Sequence, residues 1–262
     1  MYDYAVISIE TKRGVKMLQL KKLTFSAPVD STDGSSAGKD IIKDLDLEFE
    51  AGKLVVITGP NGGGKSTLAK LIAGIYDATS GEILFNGEDI TSLDVTERAN
   101  KGISFAFQRP VCFKGFTVGD MLDIAARRQL TLDEKKNLLG RVGLCVHEYG
   151  DREINQTLSG GELKRIEIAT VLARETKLNI FDEPEAGIDI WSFGKLINVF
   201  RQLAEDKSST QIIISHQRSI LEIADEIIVI CGGEIVNRGT PADLLPNMFG
   251  EGGACPVGRR CN

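Results

Sequence analysis

A glycine-rich loop between two apolar segments constrains this chain more than any other feature of its 262 residues. Residues 59–66 read GPNGGGKS and fit the pattern G-x-x-x-x-G-K-[ST]. The preceding run LVVIT is typical of a buried parallel strand, and residues 67–73 after the loop are typical of a helix that Gly74 closes. Strand, loop and helix in this order surround phosphate oxygens with backbone N–H groups. The chain is therefore predicted to bind a nucleoside triphosphate.

The same motif assigns individual contacts. Lys65 is expected to reach the β- and γ-phosphates, and the Ser66 hydroxyl is expected to ligate Mg²⁺. A chance match to the motif is disfavoured because the strand and the helix that it requires are both present. The nucleotide-binding residues predicted from this segment are Gly59, Pro60, Asn61, Gly62, Gly63, Gly64, Lys65, Ser66 and Thr67.

Two carboxylates close a second apolar run. Residues 178–181 predict a buried strand that leads into Asp182 and Glu183. Asp182 is expected to hold Mg²⁺, directly or through water, as the acidic partner of the phosphate loop. Glu183 is one residue further along and would polarise the attacking water as a general base. Such a pair could also serve only as a helix cap, but the phosphate loop in the same chain favours the catalytic interpretation.

A second glycine motif precedes a helical run at residues 163–174. Ser159, Gly160, Gly161 and Glu162 follow a leucine and place backbone N–H groups at a helix N-terminus, which suits a phosphate. One chain does not need two such ends for one triphosphate. A helix cap explains Ser-Gly-Gly-Glu by itself, but a dimer in which this end closes over the partner's γ-phosphate explains both motifs.

Together these segments resemble the ATP-binding cassette (ABC) ATPase family over roughly residues 17–240, in the family's motif order. The resemblance implies that Gln108 senses Mg²⁺ and the γ-phosphate, and couples them to a helical insertion. It also implies that His216 contacts the γ-phosphate and orients Glu183, and that residues 186–189 lie across a dimer seam. ATP and Mg²⁺ are the implied cofactors, with Mg²⁺ held by Ser66, Gln108 and Asp182.

Two positions depart from the family pattern. The aromatic residue that stacks on adenine in many members is expected just after Phe25, where this chain has Ala27 and a Ser/Gly-rich loop. The sequence EPEAGID at residues 183–189 also differs from the common form of the seam segment. The residue that stacks on adenine is therefore not assigned, and the seam contacts rest on the resemblance alone.

The resemblance implies an α/β fold of the P-loop NTPase, ABC type. Its parts would be a mixed or parallel sheet core, an N-terminal antiparallel β part and a small helical subdomain. We predict one ABC ATPase domain over residues 1–245, with the helical subdomain at about 110–160. Residues 246–262 are predicted to be a flexible tail, which contains Cys255 and Cys261. Their spacing is not typical of a zinc or cluster site.

Within the family, three stretches resemble SufC, the ATPase of iron–sulfur cluster assembly. They are ERANKGISFAFQRPV at residues 97–111, SGGELKR at 159–165 and SHQRSIL at 215–221. The resemblance implies an ATP-driven homodimer that acts on a soluble SufB-like scaffold. Transporter ATPases share parts of each stretch, so an ATP-binding subunit that serves a membrane permease is the alternative.

The amino-acid composition narrows the classes of function that remain. A net charge of −6 disfavours nucleic acid as the main partner, since phosphate backbones call for basic surfaces. No apolar run approaches 18 residues, and the N-terminus lacks the features of a secretory signal. The expected location is therefore cytoplasmic. DNA-maintenance ATPases of this type are disfavoured by the lack of heptads, and a non-catalytic cassette is disfavoured by Glu183 and His216.

Overall fold

The structure is a computed structural model that describes residues 16–27, 39–155 and 157–249. Most of the loop and of the tail that the sequence predicts lie outside these residues. The strands are β1 Lys16–Ala27, β2 Lys39–Glu50, β3 Leu54–Thr58, β4 Ser80–Phe85, β5 Glu88–Asp89, β6 Ile103–Ala106, β7 Leu178–Asp182, β8 Thr210–Ile214, β9 Glu226–Cys231 and β10 Glu234–Gly239. The helices are α1 Lys65–Ala73, α2 Val95–Asn100, α3 Val118–Ala126, α4 Leu132–Arg141, α5 Val146–Tyr149, α6 Gly160–Ala173, α7 Ile190–Asp206, α8 Arg218–Leu221 and α9 Pro241–Phe249.

A six-stranded sheet forms the centre, in the order β10-β9-β3-β8-β7-β6. The pairs from β9 to β6 are parallel and β10 is antiparallel to β9, so the predicted mixed sheet is confirmed. Alternate side chains of one strand point to opposite faces. In β3, Val56 packs with α6 and α7, whereas Val55 and Ile57 pack with α1 and the second sheet. Both faces are covered, which explains why the predicted strands read as continuous apolar runs.

A four-stranded antiparallel sheet, in the order β2-β1-β4-β5, covers the α1 side. This four-stranded sheet is the antiparallel β part that is expected near the N-terminus. Its strands β1 and β2 are much longer than the sequence alternation suggests, because both contain a register shift. Lys22 and Asp44 have φ of 50° and 44°, and the alternation of buried residues restarts after each. Such bulges interrupt the period of two without ending the strand.

The segment between β6 and α6 contains α3, α4 and α5, in the region where the sequence predicts a helical subdomain. Backbone bonds from Val118 N–H to Arg152 C=O (2.9 Å) and from Ile154 N–H to Phe116 C=O (2.9 Å) bring its two ends together. These helices pack on α6 through the same core as the central sheet. A movement of α6 and a movement of this region are therefore linked.

The last described helix, α9, corrects one predicted boundary. The sequence predicts residues 246–249 as part of the tail, but they belong to α9. The helix continues past residue 245 because Leu244 is buried and Leu245 and Met248 pack against the main core. Among the helices of the described ranges, none has the length and apolar character needed to cross a membrane.

Candidate functional site

The site lies where three neighbouring strands end. In the sheet register, Ile57 of β3 and Asp182 of β7 lie on either side of Ile214 of β8. The chain therefore leaves these strands side by side, into the phosphate loop, Glu183 and His216 respectively. Ligand sites of open α/β sheets occur at such carboxyl ends. The strand order thus brings together segments that are far apart in the sequence.

Glycines of the phosphate loop allow it to lie against strand β9. Gly59 has φ of 133°, and a Cβ there would lie 2.0 Å from the carbonyl oxygen of Ile230. A Cβ on Gly64, at φ of 103°, would lie 2.9 Å from the Cδ1 of Ile42. At both positions a larger residue would move the loop off its support. The loop then leads into α1, whose first residue is Lys65.

The Lys65 side chain is buried against its own loop. Its ammonium donates hydrogen bonds to the carbonyl oxygens of Gly59 and Pro60, both at 2.8 Å. Burial lowers the pKa of Lys65, and the nearby carboxylates of Glu183 and Asp182 act in the opposite direction. These two carbonyl oxygens therefore hold the Lys65 ammonium at the mouth of the loop. Phosphate oxygens of a bound nucleotide would take their place as its hydrogen-bond acceptors.

Ser66 and Asp182 are joined by a hydrogen bond. The Ser66 hydroxyl donates to Oδ1 of Asp182 at 2.8 Å, and Asp182 is 2% exposed. Burial raises the pKa of Asp182, and the bond from Ser66 opposes that rise. A hydroxyl and a carboxylate in contact are oxygen donors of the kind that Mg²⁺ prefers. The residues present therefore fit the predicted metal.

Glu183 has a backbone conformation that is rare for its residue type. Its φ is 46°, in the left-handed region, which costs about 1–3 kcal/mol for a residue with a side chain. Two bonds of 3.0 Å hold it there: its N–H donates to Ile214, and its C=O accepts from Ala186. The turn directs the carboxylate toward Gln108, whose Nε2 donates to Oε2 at 2.5 Å. Gln108 thus contacts the predicted base, although the resemblance placed it on Mg²⁺.

His216 lies at the exit of β8. Its Nδ1 is 3.5 Å from the hydroxyl of Thr58, at the end of β3. Partial burial lowers the pKa of His216, and the Lys65 ammonium lowers it further, whereas Glu183 raises it. The imidazole is therefore neutral at pH 7 and able to donate from one nitrogen. No pattern in the sequence indicates a role for Thr58, which is only the last residue of an apolar strand.

The signature residues 159–162 form a capping box at the start of α6. The N–H of Glu162 donates to the Ser159 hydroxyl (3.2 Å), and the N–H of Ser159 donates to the Glu162 carboxylate (2.7 Å). That carboxylate also accepts from the Tyr149 hydroxyl at 2.5 Å, and these bonds lower its pKa to about 2. Glu162 is thus directed toward α5. The groups that could bind a phosphate at the start of α6 are the Ser159 hydroxyl and the N–H groups of the two glycines.

The signature also lies against the predicted seam segment. A Cβ on Gly161 would lie 2.9 Å from the carbonyl oxygen of Gly187, whereas a Cβ on Gly160 would meet nothing within 4 Å. The adjacent Asp189 caps α7 by accepting from the N–H groups of Trp191 (3.0 Å) and Ser192 (2.9 Å). Trp191 is 87% exposed. Gly160 therefore has open space beside it, and the Trp191 side chain is open to solvent.

Phe25, next to the position predicted for an adenine-stacking aromatic, has another partner. Its ring stacks on Tyr76 with centroids 5.3 Å apart and an interplanar angle of 3°. Tyr76 follows the end of α1, and the Lys70 ammonium lies over the Tyr76 ring, 5.3 Å from its centroid. Phe25 therefore joins the antiparallel sheet to the end of α1.

Comparison with known proteins agrees with this geometry. A family model described as ABC transporter matches residues 42–186, more than half of the chain. An uncharacterized ABC transporter ATP-binding protein of Methanocaldococcus jannaschii is 39% identical over 83% of this chain and 90% of its own length. The energy-coupling factor transporter ATP-binding protein EcfA1 of Mycoplasma mobile is 33% identical over 88% of this chain and 82% of its own length.

The fold is also found among solved structures. A dimeric ATP-binding cassette bound to ADP and phosphate superposes with a TM-score of 0.76 at 24% identity, over 86% of this chain and 99% of that one. The expected ABC-type fold is thereby confirmed. The chain belongs to the ABC transporter family of ATP-binding cassettes. It is an ATP-binding, ATP-hydrolysing P-loop protein.

Proposed function

We propose that the chain is the ATP-hydrolysing subunit of an ABC transporter and acts at the cytoplasmic face of a membrane component. One observation carries the proposal that hydrolysis is coupled to a bound partner: Gln108 contacts Glu183 and is followed directly by an exposed apolar loop. A partner bound to that loop would thus lie close to the group that activates water. The transporter descriptions of the relatives support this reading over the SufC-like one.

The residues of the site take the following roles in this proposal. The phosphate loop through Thr67 and the Lys65 ammonium bind the phosphates of ATP. Ser66 and Asp182, with Gln108 nearby, would hold Mg²⁺, which would neutralise phosphate charge. Glu183 accepts a proton from the attacking water. The neutral His216 donates a hydrogen bond toward the γ-phosphate and keeps the Glu183 side chain in line.

The second half of the site comes from another copy of the chain. Ser159, Gly160 and Gly161 have no phosphate of their own to bind, so they contact the γ-phosphate of the partner's ATP. The same arrangement holds in reverse, which makes a self-complementary two-fold interface with two sites. ATP binding then closes the dimer, and hydrolysis removes the γ-phosphate that joins its halves.

The partner surface is the apolar loop after Gln108. Phe107, Val111, Phe113 and Phe116 are 38%, 50%, 45% and 42% exposed. Of these, Phe107, Val111 and Phe113, together with Met121 and side chains of α6, surround an apolar pocket. Clustered exposed aromatic residues are typical anchors of protein interfaces. The sequence left open whether Phe113 and Phe116 are buried or exposed, and the exposed arrangement favours their use by a partner.

A second candidate is a SufC-like subunit that acts on a soluble SufB-like scaffold. The three stretches at residues 97–111, 159–165 and 215–221 favour it. The chemistry of the ATP site is the same in both candidates, so only the partner separates them. The apolar loop would serve either one.

The deciding experiment is purification of the tagged chain from its own cells, with and without detergent. The transporter proposal expects that multi-span membrane proteins copurify only in detergent. It also expects that Phe113→Ala or Phe116→Ala reduces their recovery without changing ATP affinity. Val95→Ala, at an apolar position of α2 that is 47% exposed, is the matched control. Recovery of a soluble scaffold without detergent would contradict the transporter proposal and support the second candidate.

A further inference from the structure

Two side chains of helix α6 hold both backbone polar groups of Phe107. The Lys164 ammonium donates to the Phe107 carbonyl oxygen. The Phe107 N–H donates to Oε1 of Glu167 at 2.8 Å. Lys164 and Glu167 also form an ion pair, with 3.3 Å between Nζ and Oε2. The residue just before Gln108 is therefore fixed on both sides by one pair of charges.

This ion pair is deeply buried. The side chain of Lys164 is 0% exposed and that of Glu167 is 13% exposed. The same ammonium lies 3.4 Å from the carbonyl oxygen of Asp182, at the end of β7. Burial lowers the pKa of Lys164 and raises that of Glu167, and each partner's charge opposes the shift. The pair therefore touches both segments from which Gln108 and Glu183 project.

Stability alone is a poor reason for such a pair. Desolvation of two charges offsets most of their attraction, and buried ion pairs replaced by apolar side chains of similar size often leave a protein equally stable or more so. An apolar pair on α6 would fill the same space but would leave the Phe107 N–H and C=O unheld. The charged pair adds hydrogen bonds that fix the backbone position of Phe107.

We propose that Lys164 and Glu167 are positioning residues for ATP hydrolysis. By holding Phe107 they fix the direction in which the chain leaves β6, and so keep the Gln108 amide on the Glu183 carboxylate. Because α6 begins at the signature, the pair also connects the end that meets the partner's ATP with Gln108 of its own subunit. The inference rests on the roles proposed for Gln108 and Glu183.

The test uses the full-length chain with Lys164→Met and Glu167→Leu combined, which removes both charges and keeps the volume. We expect kcat to fall about 10- to 100-fold, the cost of a small misplacement at a reacting centre, while the Kd for ATP and the Tm stay near wild type. Lys135→Met is the matched control. It breaks a largely buried ion pair with Asp123 (2.7 Å) on helices that carry no site residue, and should leave kcat unchanged.

A double-mutant cycle with Gln108→Ala separates positioning from a general structural effect. If the pair acts through Gln108, the combined variant loses no further kcat when Gln108→Ala is already present. Additive losses, or a fall in Tm that accounts for the lost activity, would overturn the inference. So would a kcat near wild type in the combined variant while Gln108→Ala is impaired. A wild-type kcat in Gln108→Ala would overturn the inference and would also contradict the role proposed for Gln108.

Glu167→Gln keeps the test decisive if the combined variant does not fold. The amide oxygen of glutamine still accepts from the Phe107 N–H, so this variant should retain more kcat than Glu167→Leu at the same ATP affinity. Equal activity in the two variants would mean that the hold on Phe107 does not matter to hydrolysis.

Discussion

The Nε2 of Gln108 donates a 2.5 Å hydrogen bond to the carboxylate of Glu183, a residue 75 positions further along the chain. The two residues follow β6 and β7, which are adjacent parallel strands. Because Gln108 also begins the exposed apolar loop, any displacement of that loop changes the environment of the Glu183 carboxylate. This contact gives a direct physical link between a bound partner and the hydrolytic site.

The first prediction concerns Glu183→Gln. Glutamine keeps the size of the side chain but does not accept a proton, so kcat should fall by about 10²- to 10⁴-fold while ATP affinity is retained. Steady-state ATPase assays and binding of a fluorescent ATP analogue measure the two quantities. Glu88→Gln removes an exposed carboxylate that pairs with Lys101, and it should change neither. Hydrolysis at nearly the wild-type rate would remove Glu183 from the role of base.

The second prediction concerns Arg98, which the sequence placed in a SufC-like stretch. Arg98 is 1% exposed, and its guanidinium donates to four carbonyl oxygens. Two of them, on Leu71 and Ile72, belong to the last turn of α1. Arg98→Met should lower the free energy of unfolding by about 2–4 kcal/mol, because buried carbonyls lose their partners.

Chemical denaturation followed by circular dichroism measures that loss. Arg201→Met is the control, at an exposed position of α7 where the guanidinium donates to the Asn198 side chain at 3.2 Å, and it should cost less than about 0.5 kcal/mol. A loss for Arg98→Met no larger than that of the control would contradict the capping role. The structure thus gives this part of the SufC-like stretch a role in the fold, independent of any partner.

Local patterns in the sequence were sufficient for the buried strands β3 and β7 and for the phosphate loop, but not for the length of β1 and β2. They placed the boundaries of helices less well. Helix α6 starts at Gly160 rather than near Leu163, because the capping box of Ser159 and Glu162 outweighs the poor helix propensity of two glycines. Helix α3 ends at Ala126 because Arg127 adopts a left-handed conformation (φ 57°), and the sequence has no glycine there to indicate the end.

Contacts between distant segments were not predictable from the chain alone. The motifs indicated Gln108 and Glu183 through a family resemblance, but their hydrogen bond depends on the neighbouring positions of β6 and β7. Lys164 carried a usable signal, since it lies four residues before Ile168 on a helix whose buried face includes both. A lysine at a core position requires a buried partner. That partner, Glu167, is one turn away, but the backbone of Phe107 lies 57 residues from Lys164.

The third prediction concerns Gly160→Asp and the dimer. A side chain at Gly160 has open space, and a carboxylate suits a helix N-terminus, so the variant should fold as well as wild type. In the dimer the new charge would face the partner's γ-phosphate. ATP should therefore dimerise Glu183→Gln but not Glu183→Gln with Gly160→Asp.

Light scattering after size exclusion measures the mass of each species. Trp191, the single tryptophan of the chain, gives a second signal beside the seam: its emission should shift to shorter wavelength when ATP closes the dimer. Gly160→Ala adds a methyl group without charge, and it should dimerise. Dimers of the Gly160→Asp variant in ATP would show that the signature does not meet the partner's phosphate.

The fourth prediction concerns the protonation of His216. The ordinary pKa of histidine is near 6.5, and the pKa of His216 lies below that value because its positive form is disfavoured by partial burial and by the Lys65 ammonium. Lys65→Met should raise the pKa of His216, since it removes a positive charge. Glu183→Gln should lower that pKa further, since it removes a negative charge.

NMR titration measures these pKa shifts of His216 in the nucleotide-free chain. The variant His147→Gln removes the other histidine of the chain and so assigns the His216 signals. Lys53→Met is the charge control, because its ammonium pairs with Glu50 at 2.7 Å on the exposed surface. It should leave the pKa of His216 unchanged. Opposite shifts in Lys65→Met and Glu183→Gln would establish that both charges act on the imidazole, as their convergence at the ends of β3, β7 and β8 requires. Equal pKa values for His216 in the wild type, Lys65→Met and Glu183→Gln would contradict the arrangement of these charges.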